Sequence, residues 1–109
     1  MFPMTVGGLG GRGVRAVATR YSGRFTPAGG SARLPRVRHF EIWNEPNLKG
    51  FFRYNGRSNL GRYKGLMRAG YANIKAANRK AIVIGGVGGP RSSTGNGNIG
   101  VGRIHLATK

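Results

Sequence analysis

Phe40-Glu41-Ile42-Trp43-Asn44-Glu45-Pro46-Asn47 is a short apolar run that ends in an Asn-Glu pair and is stopped by a proline. Aromatic and β-branched residues favour a strand, and proline lacks the N–H that a sheet ladder needs. The stretch therefore reads as a buried strand that presents a carboxylate at its end. The chain holds only two acidic residues against 19 Lys plus Arg, and both, Glu41 and Glu45, fall within these eight positions. An acid kept in so basic a chain is the first place to look for chemistry.

Working outward, Val37 to Trp43 is expected to be a strand with apolar residues on both faces around Ile42. Leu48 to Arg57 reads as a loop carrying Phe51, Phe52 and Tyr54, and Ser58 or Asn59 can cap the helix that follows. From Leu60 to Asn78 the apolar positions Tyr63, Leu66, Met67, Tyr71, Ile74 and Ala77 make one helical stripe. Gly65 and Gly70 weaken that helix by about 1 kcal/mol each relative to Ala. Ala81-Ile82-Val83-Ile84 is fully apolar, the pattern of a parallel strand buried on both faces. Upstream, Val14, Val17, Ala18 and Tyr21 have the spacing of a short helix, and Ser22 to Pro35 reads as loop. Strand, helix, strand from Val37 to Gly86 is a βαβ unit, so the fold class is α/β. Such folds place functional groups just past the ends of their strands.

Composition bounds the rest. A chain of 109 residues suffices for one small domain, whereas a complete (β/α)8 barrel needs about 200 or more. Hydrophobic residues make up 39% and Gly contributes 21 positions, so the core is expected in the middle of the chain. Residues 1–13 are read as an irregular Gly-rich N-terminus, 14–95 as the structured unit, and 96–109 as an irregular tail. The net charge is +17, which suits polyanion partners. The basic residues are spread singly from Arg12 to Lys109, however, which implies nonspecific attraction to polyanions more than a built binding face.

Several classes are disfavoured. There is no Cys, hence no disulfide or thiolate metal site. His39 reads as a packing residue at the strand start and His105 carries no role, so neither a metal site nor a cofactor is implied. Met1 to Gly13 lacks the apolar core of a signal peptide, and no segment approaches the roughly 18 apolar residues of a membrane span. Gly8-Leu9-Gly10-Gly11-Arg12-Gly13 fits the GxGxxG spacing, but no strand is expected before it and no acid follows about 20 positions later, as a dinucleotide fingerprint requires. Gly89-Pro90-Arg91-Ser92-Ser93-Thr94-Gly95 lacks the Gly-Lys-Ser/Thr ending of a phosphate loop.

The residues around Glu45 carry a resemblance. Phe40 to Asn47 resembles the acid/base strand of clan A glycoside hydrolases, the retaining (β/α)8-barrel glycosidases. Arg20-Tyr21-Ser22-Gly23 with Leu34-Pro35-Arg36-Val37 is similar to the helix and loop before that strand. Tyr63 to Ala77 is similar to the next helix, and Ile82-Val83-Ile84-Gly85-Gly86 with Gly88-Gly89-Pro90 to the fifth strand and its loop. The resemblance spans roughly Val14 to Gly95 and implies a partial barrel acting on a β-linked oligo- or polysaccharide, in a family whose members are often secreted. It implies Glu45 as general acid/base, Asn44 as the residue that hydrogen-bonds the sugar 2-hydroxyl, and Trp43 in the barrel wall or the cleft floor.

The chemistry asks for more than one acid. A glycosidase needs a carboxyl whose pKa is raised toward neutrality, which a half-buried position beside apolar groups supplies. A retaining enzyme also needs a second carboxylate about 5–5.5 Å away. Glu41 stands four residues before Glu45, and in an extended strand that is roughly 13 Å. Glu41 is accordingly read as structural, paired with an Arg. In the resembled family the nucleophile lies on the seventh strand, so this chain is expected to be a fragment that does not hydrolyse substrate alone. Exposed strand edges would then invite association. The alternative expectation is a basic, non-catalytic nucleic-acid-binding protein. Phe51, Phe52 and Tyr54 can stack on sugar rings or cover the top of the sheet.

Overall fold

The structure, a computed structural model, describes residues 4–5, 10–46 and 59–86. Five elements follow one another: β1 (Met4–Thr5), α1 (Gly10–Arg20), β2 (His39–Glu41), α2 (Asn59–Ala77) and β3 (Ile82–Ile84). The three short strands are parallel and lie in chain order, β1-β2-β3. Met4 stands opposite Phe40, and Phe40 opposite Val83. Each parallel step is bridged by one helix, and α1 and α2 pack against each other and against the same side of β2.

Alternation along β2 decides which side that is. Phe40 and Ile42 are fully buried and cluster with Val14 and Ala18 of α1, Ile74 of α2, and Ala81. Successive strand residues point to opposite faces, so Glu41 and His39 lie on the face away from the helices. Val83, in register with Phe40, packs on the helical side. Its neighbour Ile82 is 52% exposed on the other. The expectation that Ala81 to Ile84 is buried on both faces is thus corrected: Ile82 is exposed, and among the described residues helices cover one face of the sheet.

Two further expectations change. Residues 1–13 are not irregular throughout, because Met4–Thr5 pairs with β2 and α1 opens at Gly10, four residues before the expected start. Glycine costs helix stability locally, but here it permits close packing. A Cβ on Gly11 would stand 2.9 Å from the Asn73 side chain of α2. The second change concerns α2. Tyr71 is 54% exposed, and the buried line runs through Tyr63, Gly70 and Ile74. Gly70 sits where the helix crosses β2: a Cβ there would lie 2.5 Å from Ile42 Cδ1.

The loop of residues 21–37 is organised by backbone hydrogen bonds. Val37 N–H donates to Tyr21 O at 2.8 Å, Leu34 N–H to Phe25 O at 2.8 Å, and Gly30 N–H to Pro27 O at 3.0 Å. No helix is long and apolar enough to cross a membrane among the described residues.

Candidate active site

β2 ends at Glu41, but its pairing with β3 continues one residue further, where Ile42 N–H donates to Ile84 O at 3.0 Å. The chain then turns. Trp43 has φ +62° and Glu45 has φ +46°, the only non-glycine residues with positive φ among those described. A side chain in the left-handed region costs roughly 1–2 kcal/mol, and such residues persist only where their surroundings over-determine them. The surroundings here are visible: Ile42 is buried beneath α2 on one side, and Pro46 is fully buried on the other. Three residues between two buried anchors must make the turn. Trp43 and Glu45 are half-buried, and Asn44, between them, is exposed.

The three residues singled out from sequence, Trp43, Asn44 and Glu45, are therefore held together at the C-terminal end of the central strand. Glu41 is half-buried on the sheet face away from α1 and α2, just before them. The backbone from Glu41 to Glu45 is turned at Trp43 and Glu45 and not extended, so the spacing of an extended strand does not set the separation of the two carboxylates.

Sequence reasoning assigned Tyr63 only to the helix core, and the structure gives it a second part. Its side chain is fully buried, and its hydroxyl accepts a hydrogen bond from Gly86 N–H at 2.8 Å. α2 thereby holds the end of β3 beside the end of β2. Burial pushes the Tyr63 phenol above its ordinary value; the Gly86 hydrogen bond opposes the shift, and the charge of Glu41 adds to it. The signal was available in principle, since a buried tyrosine among aliphatics needs a partner for its hydroxyl. The partner, a backbone N–H 23 positions away, has no sequence signature.

Gly10 and Gly13 of the GxGxxG stretch fall in α1, and β1 does precede it, contrary to expectation. The acid that ends β2 is Glu41, well beyond the roughly 20 positions the fingerprint calls for. Among the described residues no group of His, Asp or Glu can hold a metal ion. Asn47, the aromatics Phe51, Phe52 and Tyr54, Ser58, the Gly88-Gly89-Pro90 segment, His105 and the 96–109 tail lie outside the described residues. Nothing among known protein families, curated proteins or solved structures matches this chain.

Proposed function

We propose that this chain carries the acid/base segment of a retaining glycosidase acting on β-linked oligo- or polysaccharides. Glu45 is the general acid/base, Asn44 the ligand of the sugar 2-hydroxyl, and Trp43 part of the cleft wall. One observation carries the reading: Trp43 and Glu45 both hold left-handed backbone conformations at a strand end. Strain concentrated at a carboxylate is what a positioned catalytic group would show. In the reaction, Glu45 would give its proton to the glycosidic oxygen as the C–O bond breaks and a second carboxylate bonds the anomeric carbon. The Glu45 carboxylate would then take a proton from the water that displaces that second carboxylate.

The partial (β/α)8 barrel is part of the proposal. Parallel strands in chain order with both helices on one face suit consecutive βα units of a barrel. They also suit half of a doubly wound sheet. The carboxylate at the strand end favours the barrel. The chain has no acids besides Glu41 and Glu45, so hydrolysis by this chain alone requires Glu41 or another copy as the second carboxylate. The net charge of +17 supports a second reading, a basic nucleic-acid-binding protein without catalysis.

The test is an NMR titration of the 15N-labelled chain with β-linked oligosaccharides and, separately, with a DNA oligonucleotide. Alongside it, aryl β-glycosides are assayed with the unsubstituted chain, Glu45→Gln and Glu41→Gln. Saccharide-dependent shifts at residues 43–45, abolished by Asn44→Ala, are the expected result. Hydrolysis lost in both glutamine variants would make the two glutamates a pair. Shifts with DNA only, steeply salt-dependent, would overturn the glycosidase reading.

A further inference from the structure

At the opposite end of the sheet from Glu45, ahead of β2 and β3, a cleft of about 720 Å³ opens beside the end of α2. Its walls include Arg24, Arg36, Asn78, Arg79 and Lys80. We propose that this cleft binds a phosphate group, with Asn78 and Arg36 as its fixed donors and Arg24, Arg79 and Lys80 as its cationic rim.

Asn78 fixes the chemistry. It is 6% exposed. Its Oδ1 accepts from the Lys80 backbone N–H at 3.2 Å. Because that partner is a donor, the amide cannot be turned the other way, and Nδ2 is left as the amide's donor. Nδ2 is buried and has no hydrogen-bond partner. Backbone bonds from Asn78 N–H to Ile74 O at 2.7 Å and from Ala81 N–H to Asn78 O at 3.1 Å hold the residue in place.

Arg36 supplies a second such donor from a different element. Its Nε is likewise buried without a hydrogen-bond partner. Its aliphatic stem lies on Gly23, where a Cβ would stand 2.9 Å from Arg36 Cβ. The Ser22–Arg36 bridge fixes the backbone behind it. Two buried, unsatisfied N–H donors on residues that line one cleft require acceptors, because leaving such hydrogen bonds unmade is costly.

The choice of acceptor follows from charge. No acid lines the cleft, and the chain's two glutamates are at the end of β2 and beyond it. The end of α2 works against an anion with about half a negative charge. Four cationic side chains outweigh it. Arginine forks match the geometry of phosphate oxygens. Water could satisfy two donors but would leave four converging cations uncompensated. A phosphate group meets both demands.

The experiment follows the Asn78 side-chain amide and, in every variant, the backbone amides of residues 78–80 by 15N NMR in the 109-residue chain, with inorganic phosphate and a short single-stranded DNA as separate probes. Asn78→Asp keeps the oxygen that receives Lys80 N–H and replaces the free donor. Arg79→Gln/Lys80→Gln removes two exposed cations without touching the core. Arg12→Gln/Arg15→Gln, on α1, is the charge-matched control. The expected result is movement of the Asn78 amide and a loss of affinity of at least about tenfold in both cleft variants, with the control pair unchanged. Response to phosphate itself would indicate a small phosphorylated ligand; response to DNA alone would indicate a phosphodiester polymer. No movement of the Asn78 amide with either probe, or equal losses in the cleft and control pairs, would overturn the site.

Discussion

The Tyr63 hydroxyl and the Gly86 N–H meet at 2.8 Å in a buried hydrogen bond that ties α2 to the end of β3. Removing the hydroxyl leaves a buried donor unsatisfied, a cost of about 1–3 kcal/mol. Tyr63→Phe is expected to lower stability by that amount in urea unfolding. Burial of the phenol, which outweighs the opposing effect of this bond, also has a pH signature. Because the folded-state pKa of Tyr63 is raised, the unfolded chain loses this proton first as pH rises. Stability is therefore full below about pH 10, the unfolded value, and falls as pH rises from there toward the folded value. In Tyr63→Phe that component of the alkaline slope should be absent. An unchanged slope would exclude Tyr63 as its source.

Gly70 and Gly65 lie in the same helix and should respond to alanine with opposite signs. At Gly65 nothing stands within 4 Å of an added Cβ, so Gly65→Ala gains helix propensity, about 1 kcal/mol. At Gly70 the Cβ would lie 2.5 Å from Ile42 Cδ1, and Ile42 is enclosed by the core. Overpacking costs about 1–3 kcal/mol, which exceeds the propensity gain. Gly70→Ala is expected to destabilise, and Ile42→Val, which removes the clashing methyl, to recover part of the loss. A double-mutant cycle by urea melts measures that coupling. Additive effects would show that α2 shifts to accommodate the methyl.

Glu45 is expected to be dispensable for stability. Glycine relieves its left-handed conformation, worth roughly 1–2 kcal/mol, and adds unfolded-state entropy worth about 0.5–1 kcal/mol. Glu45→Gly should therefore leave stability unchanged or raise it by up to about 1.5 kcal/mol, while abolishing any saccharide response at Asn44. That combination is the mark of strain retained for function. A loss above about 1 kcal/mol would instead assign Glu45 to packing.

The sequence made the parallel βαβ core legible because its signals are local: an apolar run closed by Pro46, a long helical stripe, and an apolar run after Asn78. The proposed site residues, Trp43, Asn44 and Glu45, stood out in the sequence for the same reason, being consecutive. What was missed depends on contacts between distant segments. α1 starts at Gly10 because Gly11 lets it approach Asn73, a relationship that glycine's poor helix propensity conceals. Gly70 displaces Tyr71 from the buried line because Ile42 fills the space a side chain would occupy. The turned backbone at Trp43 and Glu45 had no local warning either, since neither residue type favours positive φ.

The helices among the described residues cover one face of the sheet, which makes a final contrast measurable. Phe40 and Ile82 are large apolar residues on adjacent strands, yet Phe40 is fully buried and Ile82 is 52% exposed. Truncating a buried Phe costs about 3–5 kcal/mol, a large part of the roughly 5–15 kcal/mol that holds a small domain together. Phe40→Ala is expected to abolish the cooperative unfolding transition. Ile82→Thr keeps β-branching and removes apolar surface that is already half in water, so its cost should stay below about 1 kcal/mol. The same substitution should reduce concentration-dependent association in sedimentation experiments, because exposed apolar surface such as that of Ile82 is where chains adhere. A large destabilisation by Ile82→Thr would mean that this face is covered in solution.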